Sequence, residues 1–164
     1  MFIAHLPAGY LLTRWLQQRL KTTEYLWIGL AASILPDSDL VYFYFIDNRQ
    51  TLHHEYWIHL PIFWLTVWIA VLVVNLLAKS RKLSIVSTIF LANIFLHLIL
   101  DTFAAGILWL YPLWDKSFVL IDVPARYSSW VENFIFHWSF LVEILIFIWA
   151  SAVLLKERKK NHLD

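Results

Sequence analysis

Two short segments carry the side chains best suited to chemistry: Leu35-Pro36-Asp37-Ser38-Asp39 and His97-Leu98-Ile99-Leu100-Asp101. Their carboxylates and imidazole sit in stretches otherwise apolar enough to lie in a bilayer. Such groups are expensive in hydrocarbon unless they pair or bind something. Keeping several of them there points to chemistry. His5 and the run His53-His54-Glu55-Tyr56-Trp57-Ile58-His59 extend the set toward a metal site.

Spacing sharpens the reading. His97 and Asp101 are four apart on a predicted helix, so they share one face. Asn93 lies a turn back on that face, where it can orient a ligand. Asp37 and Asp39 flank Ser38 just after a proline, and a short extended turn would present both carboxylates to a metal pair. His54 and His59 straddle a predicted helix start. The chain has no cysteine, which excludes disulfides and thiolate sites. A nitrogen–oxygen set suits Zn²⁺ first, with Mn²⁺ or Fe²⁺ as alternatives. His5, Asp37, Asp39, His54, His59, His97 and Asp101 are more ligands than one ion takes, so two divalent ions are expected. Two-metal sites activate water for attack on phosphorus and stabilise the leaving oxygen.

The elements that must position these residues are helices. Predicted helical stretches cover about residues 2–20, 24–35, 56–78, 83–102 and 130–155. The second stops at Pro36, because proline disfavours helix in the residue before it, and it is too short to span a membrane alone. The fifth reads as the clearest spanning segment. Residues 103–129 are rich in Trp, Tyr and Pro and read as an interfacial hairpin, with Trp109, Tyr111, Trp114, Tyr127 and Trp130 suited to the headgroup zone. Composition agrees: 60% of the residues are hydrophobic, mean hydropathy is +0.63, and Gly numbers only 3. A soluble domain of this size could not hide that much apolar surface. The fold class expected is an all-α integral membrane protein, a single domain over residues 1–164. It would be a bundle of about four to five transmembrane helices with one short helix and an outer interfacial hairpin. The first residues lack the basic start and cleavage site of a signal peptide. A net charge of +1 gives no electrostatic case for nucleic acid.

Basic residues set the orientation. Arg19 and Lys21, then Lys79, Arg81 and Lys82, then Lys156, Arg158, Lys159 and Lys160 fall on one side if helices alternate direction. The positive-inside bias makes that side cytoplasmic. Every ligand candidate then lies at the outer face.

Plainer roles compete for several residues. His5 alone reads as an interfacial histidine. Of the adjacent pair, His53 is taken as the loop residue and His54 as the ligand, with the choice left open. The His97–Asp101 pair would also serve as a hydrogen bond between helices. Glu132, Phe136, Ser139 and Glu143 form a stripe on the fifth helix. Glu143 lies near its middle, at a depth comparable with Arg14 in the first, and the expectation is an Arg14–Glu143 ion pair. Glu132 is placed nearer the site. His137 reads as packed or interfacial, and His162 as part of a solvated tail.

These motifs resemble the YdjM-like family of bacterial membrane-bound, metal-dependent hydrolases. That family has an early His, then L-P-D-x-D, then H-R-G-x-T-H-S, then H-x-x-x-D followed by Gly and an apolar W-P segment. The chain has His5, Leu35-Pro36-Asp37-Ser38-Asp39, His54 to His59, His97 to Asp101, and Gly106 with Trp109 and Pro112 after it. The order holds from about residue 3 to 120. Glu55, Tyr56, Ile58 and Leu60 stand where the family often has Arg, Gly, Thr and Ser, so a basic group and two hydroxyls are missing while both histidines remain. The H-x-x-x-D spacing is also similar to that of zinc-dependent phospholipase C enzymes.

The resemblance implies a hydrolase of the bacterial inner membrane. Together with the residues it yields one expectation: a multi-pass metal-dependent phosphoesterase acting at the periplasmic face on a membrane lipid or lipid-linked phosphoester. Asp37, Asp39, His97 and Asp101 are its catalytic candidates, and Lys116 and Arg126 are its substrate-binding ones. The alternatives are a divalent-cation transporter, whose ligands would be spread across the membrane depth, and a non-catalytic membrane protein. Oligomeric state is left open.

Overall fold

The computed structural model describes residues 3–51 and 53–161. Among them are seven α-helices: α1 His5–Leu20, α2 Leu26–Ile34, α3 Asp39–Phe45, α4 Pro61–Ala78, α5 Arg81–Thr102, α6 Trp130–Ile135 and α7 Phe140–Asn161. Short 3₁₀ turns cover Pro36–Ser38, His53–Glu55 and Trp57–His59. No strand occurs among the described residues; Ile107 and Phe118 form a single antiparallel bridge.

The centre is a trio of α1, α2 and α5, with α4 against α5 and α7 against α1. Close approach of α1 and α2 depends on small residues. A Cβ on Gly9 would lie 2.4 Å from the Ser33 side chain, and one on Gly29 only 2.0 Å from Thr13 Oγ1. Where lipid removes the hydrophobic drive, such contacts hold helices together by packing and side-chain hydrogen bonds. Asn93 joins α5 to this crossing: its amide donates to Thr13 Oγ1 (3.0 Å) and to the Ile89 carbonyl (2.8 Å). It ties helices together, and it is not the ligand-orienting group expected. Ala32, Ile58, Trp64, Leu91, Ile94 and Leu98 form the apolar core beside it.

Turns are set locally. Lys21 and Lys79 take left-handed conformations that end α1 and α4, and the Ser80 hydroxyl caps α5 by accepting the Leu83 N–H. Pro61 opens α4 where its missing N–H costs nothing. Pro36 interrupts α2 without ending the helical path: α3 follows, bent by 53° from α2. That short helix was not expected.

By length and composition α4 and α5 can cross a membrane, and the bent α2–α3 pair makes a third if it counts as one broken span. Only 11% of the α4 window is buried, so its apolar side chains face outward as lipid-facing ones do. The segment read as the clearest span is broken: α6 ends at Ile135 and α7 begins at Phe140. His137 Nδ1 lies 2.8 Å from Ser139 Oγ in the gap, a local side-chain bond that competes with helix.

The break corrects the Arg14–Glu143 expectation. Glu143 is in the first turn of α7, ten residues nearer a helix start than counting from residue 130 suggests. It is fully buried and accepts the backbone N–H groups of Ile3 and Ala4, at 3.0 Å for Ala4. A carboxylate there complements the N-terminal end of the α1 dipole. Arg14 pairs with Glu157 instead, through Nε (3.0 Å) and a terminal nitrogen (2.8 Å), and Tyr10 donates to the same carboxylate (2.8 Å). The stripe is interrupted too: Ser139 and Glu143 are buried, while Glu132 and Phe136 are exposed. His162 lies outside the described residues.

Residues 103–129 do fold back as a hairpin on the end of α5. Leu120 and Ile121 donate to the carbonyls of Thr102 and Phe103 at 2.8 and 3.0 Å. Leu110, Tyr111, Leu113, Trp114 and Phe118 are exposed along it.

Candidate metal centre

His97 is buried on α5, and its ring is oriented by the break at Pro36. The last carbonyls of a helix lack intrahelical partners. The Ser33 carbonyl, at the end of α2, takes His97 Nδ1 at 2.8 Å. A carbonyl only accepts, so Nδ1 carries the hydrogen, and in the neutral ring Nε2 presents a lone pair.

Asp39 does the same for two more rings. Its Oδ2 lies 2.7 Å from His59 Nδ1 and its Oδ1 lies 2.9 Å from His53 Nδ1. Both rings donate to the carboxylate, which turns the His59 Nε2 lone pair toward His97. The two Nε2 atoms are 3.4 Å apart, and both histidines are fully buried. A divalent cation between or beside these two nitrogens would accept both as ligands. Asp101 stands at the same point. Its Oδ2 is 2.9 Å from His97 Nε2 and 3.7 Å from the Nε2 atoms of both His59 and His54. Its Oδ1 is 3.1 Å from His5 Nε2, and the His5 ring stacks on His97 with centroids 3.9 Å apart. Asp37 Oδ1 reaches within 3.7 Å of His97 Nε2.

The donor atoms fall into two compact groups, each within 4.8 Å of one another: His5, Asp37, His97 and Asp101, and His53, His54 and His59. His5, His59, His97, Asp39 and Asp101 are buried, while Asp37, His53 and His54 are partly open and mark the accessible side. Burial pushes His54 down to about 3 against the pull of Asp101, so its imidazole is neutral at physiological pH, the form that ligates.

The structure thus gathers all seven expected ligands, six elements contributing, and two residues stand differently from expectation. His53, read as a loop residue, is held by Asp39. Asp39, expected as a ligand, lies outside both donor groups, with its oxygens 2.9 and 2.7 Å from the Nδ1 atoms of His53 and His59, the arrangement of a carboxylate that orients ligating rings. The Ser33 carbonyl was missed, since a backbone acceptor has no side-chain signal. The substrate candidates are not among the two donor groups. Lys116 sits over the Trp114 ring, and Arg126 is exposed with its backbone N–H on Asn133 Oδ1. Glu132 is exposed, away from the role near the site given to it, and His137 is half-buried beside Ser139.

A family model described as YdjM inner membrane protein matches residues 1–160. The chain belongs to that family. The match extends beyond the motif-bearing residues to take in α6 and α7, so the two groups of ligand atoms and the helices that carry them lie within one YdjM-family unit. The family name and the apolar helices together make this a membrane protein. No curated protein and no solved structure matches the chain.

Proposed function

We propose that this protein is a metal-dependent phosphoesterase of the inner membrane, acting at the periplasmic face on a membrane lipid or lipid-linked phosphoester. The observation that carries the reading is the pair of buried Nε2 atoms of His59 and His97, 3.4 Å apart, with a buried carboxylate beside them. That donor set fits divalent metal: ligating histidines commonly donate their other ring N–H to a carboxylate or backbone carbonyl, as both do here. His5, Asp37, His97 and Asp101 would hold one ion, and His53, His54 and His59 a second. When bound, the ions supply Lewis acidity toward a phosphoryl oxygen and an acidified water.

The chain's own groups supply the rest. Asp39 and the Ser33 carbonyl keep the His59 and His97 lone pairs inward. Asp101 draws His5, His54, His59 and His97 to one centre. In this reading Asp37, the least buried carboxylate of the set, accepts a proton from attacking water; its openness supports that role. Contacts between α1 and α5 and between α1 and α7 support alternating directions, which put all three basic clusters at the end opposite His5 and Asp101. The positive-inside bias makes that end cytoplasmic. In this reading α1 and α7 complete a bundle of about four to five membrane helices, supported by the exposed Leu145, Phe147, Ile148 and Trp149 along α7.

Detergent-purified protein should release phosphate or a phosphorylated headgroup from phospholipid, and His97→Ala should abolish the release. Release unchanged in His97→Ala and after chelation would overturn the proposal. Zn²⁺ flux into proteoliposomes without hydrolysis would assign the site to transport.

A further inference from the structure

The reading above leaves the substrate's apolar part without a place, and a cavity at the Asp101 end of α5 can hold it. It has a volume of about 630 Å³ and lies between the last turn of α5 and the hairpin, lined by Ile99, Thr102, Trp109, Leu110, Phe118 and Leu120, with Lys116 at its edge. That is within the roughly 300–1,000 Å³ of small-molecule sites.

Hydrogen bonds fix its walls. The Trp109 indole donates to Thr102 Oγ1 at 2.8 Å, Thr102 Oγ1 donates to the Leu98 carbonyl at 2.7 Å, and Leu120 is tied to the Thr102 carbonyl at 2.8 Å. Thr102 follows Asp101 directly, so the cavity and the metal centre flank the same helical turn. An apolar hollow at the end of an apolar membrane helix is filled by hydrocarbon more favourably than by water. The cation at its edge, over the Trp114 ring, complements a phosphate at the depth where headgroups begin.

We propose that this cavity seats an acyl chain of an anionic phospholipid, with the headgroup phosphate against Lys116. The inference rests on the hydrolase reading for its purpose, but lipid retention tests it separately. Native mass spectrometry in detergent, with phosphatidylglycerol added, reads retained lipid directly. The unaltered chain should keep one lipid. Leu110→Arg combined with Lys116→Glu should lower retention by about tenfold or more. Leu113→Arg is a change on the same hairpin at a residue that is 92% exposed and does not line the cavity, and it should leave retention unchanged. Equal loss in both variants, no loss in the first, or a lipid-free dimer would overturn the proposal. Metal content of the same samples keeps the two ideas apart. Lipid lost with metal kept in the unaltered chain sinks the acyl seat alone. Lipid kept with no metal bound sinks the hydrolase reading alone.

Discussion

Replacing Asp39 by Asn tests how the metal centre is held. The carboxylate accepts Nδ1–H from His59 at 2.7 Å and from His53 at 2.9 Å. An Asn side chain offers one acceptor oxygen, and its NH₂ then faces the second ring's N–H as donor against donor. One histidine must flip or move its proton to Nε2, which removes a lone pair from the centre. Loss of such an orienting partner lowers metal affinity by about 10–100-fold, roughly 1.4–2.7 kcal/mol. That range agrees with the loss of one charge-assisted hydrogen bond, about 1.5–3 kcal/mol. Competition with a chromophoric chelator in detergent measures the affinity, and metal analysis at saturation measures the stoichiometry. Weaker binding at unchanged stoichiometry is the expected outcome. Affinity within threefold of the unaltered chain would refute the orienting role, and loss of one ion at saturation would make Asp39 a direct ligand.

Two further predictions concern the bundle. Arg14→Leu and Glu157→Leu should be coupled by up to about 1 kcal/mol, as suits a partly exposed pair. Arg14→Leu and Glu143→Leu should be additive within about 0.5 kcal/mol; unfolding in SDS measures both cycles, and strong coupling of Arg14 to Glu143 would contradict the observed pairing. A cysteine at Lys160 should be protected from impermeant thiol reagents in intact cells and one at Lys116 labelled; the reverse pattern would place the site in the cytoplasm.

The site was legible where its spacing is local. The four-residue interval between His97 and Asp101 sets a shared helical face whatever the rest of the chain does. Pro36 announces a break near Asp37 and Asp39, although the chain resumes a helix after it. His53 was not legible, because its role depends on Asp39 arriving from another element. The Ser33 carbonyl is available only once α2 stops and α5 packs against it. Glu143 was misplaced because residues 136–139 contain neither Pro nor Gly, and the interruption there comes from His137 and Ser139 bonding locally. The apolar character follows from composition and the helices from the long apolar stretches, but the number of spans does not. α1 has 16 residues, and α7 carries Glu143, Lys156 and Glu157, so neither meets the length and charge expected of a simple span.

Metal content decides whether the buried His and Asp groups form a metal centre. Protein purified in detergent without added chelator should carry about two transition-metal ions per chain. The double variant His97→Ala with Asp101→Ala should lose most of that metal while remaining folded by circular dichroism. A metal-free unaltered protein that also takes up no Zn²⁺ on titration, or a double variant with unchanged metal content, would contradict the account.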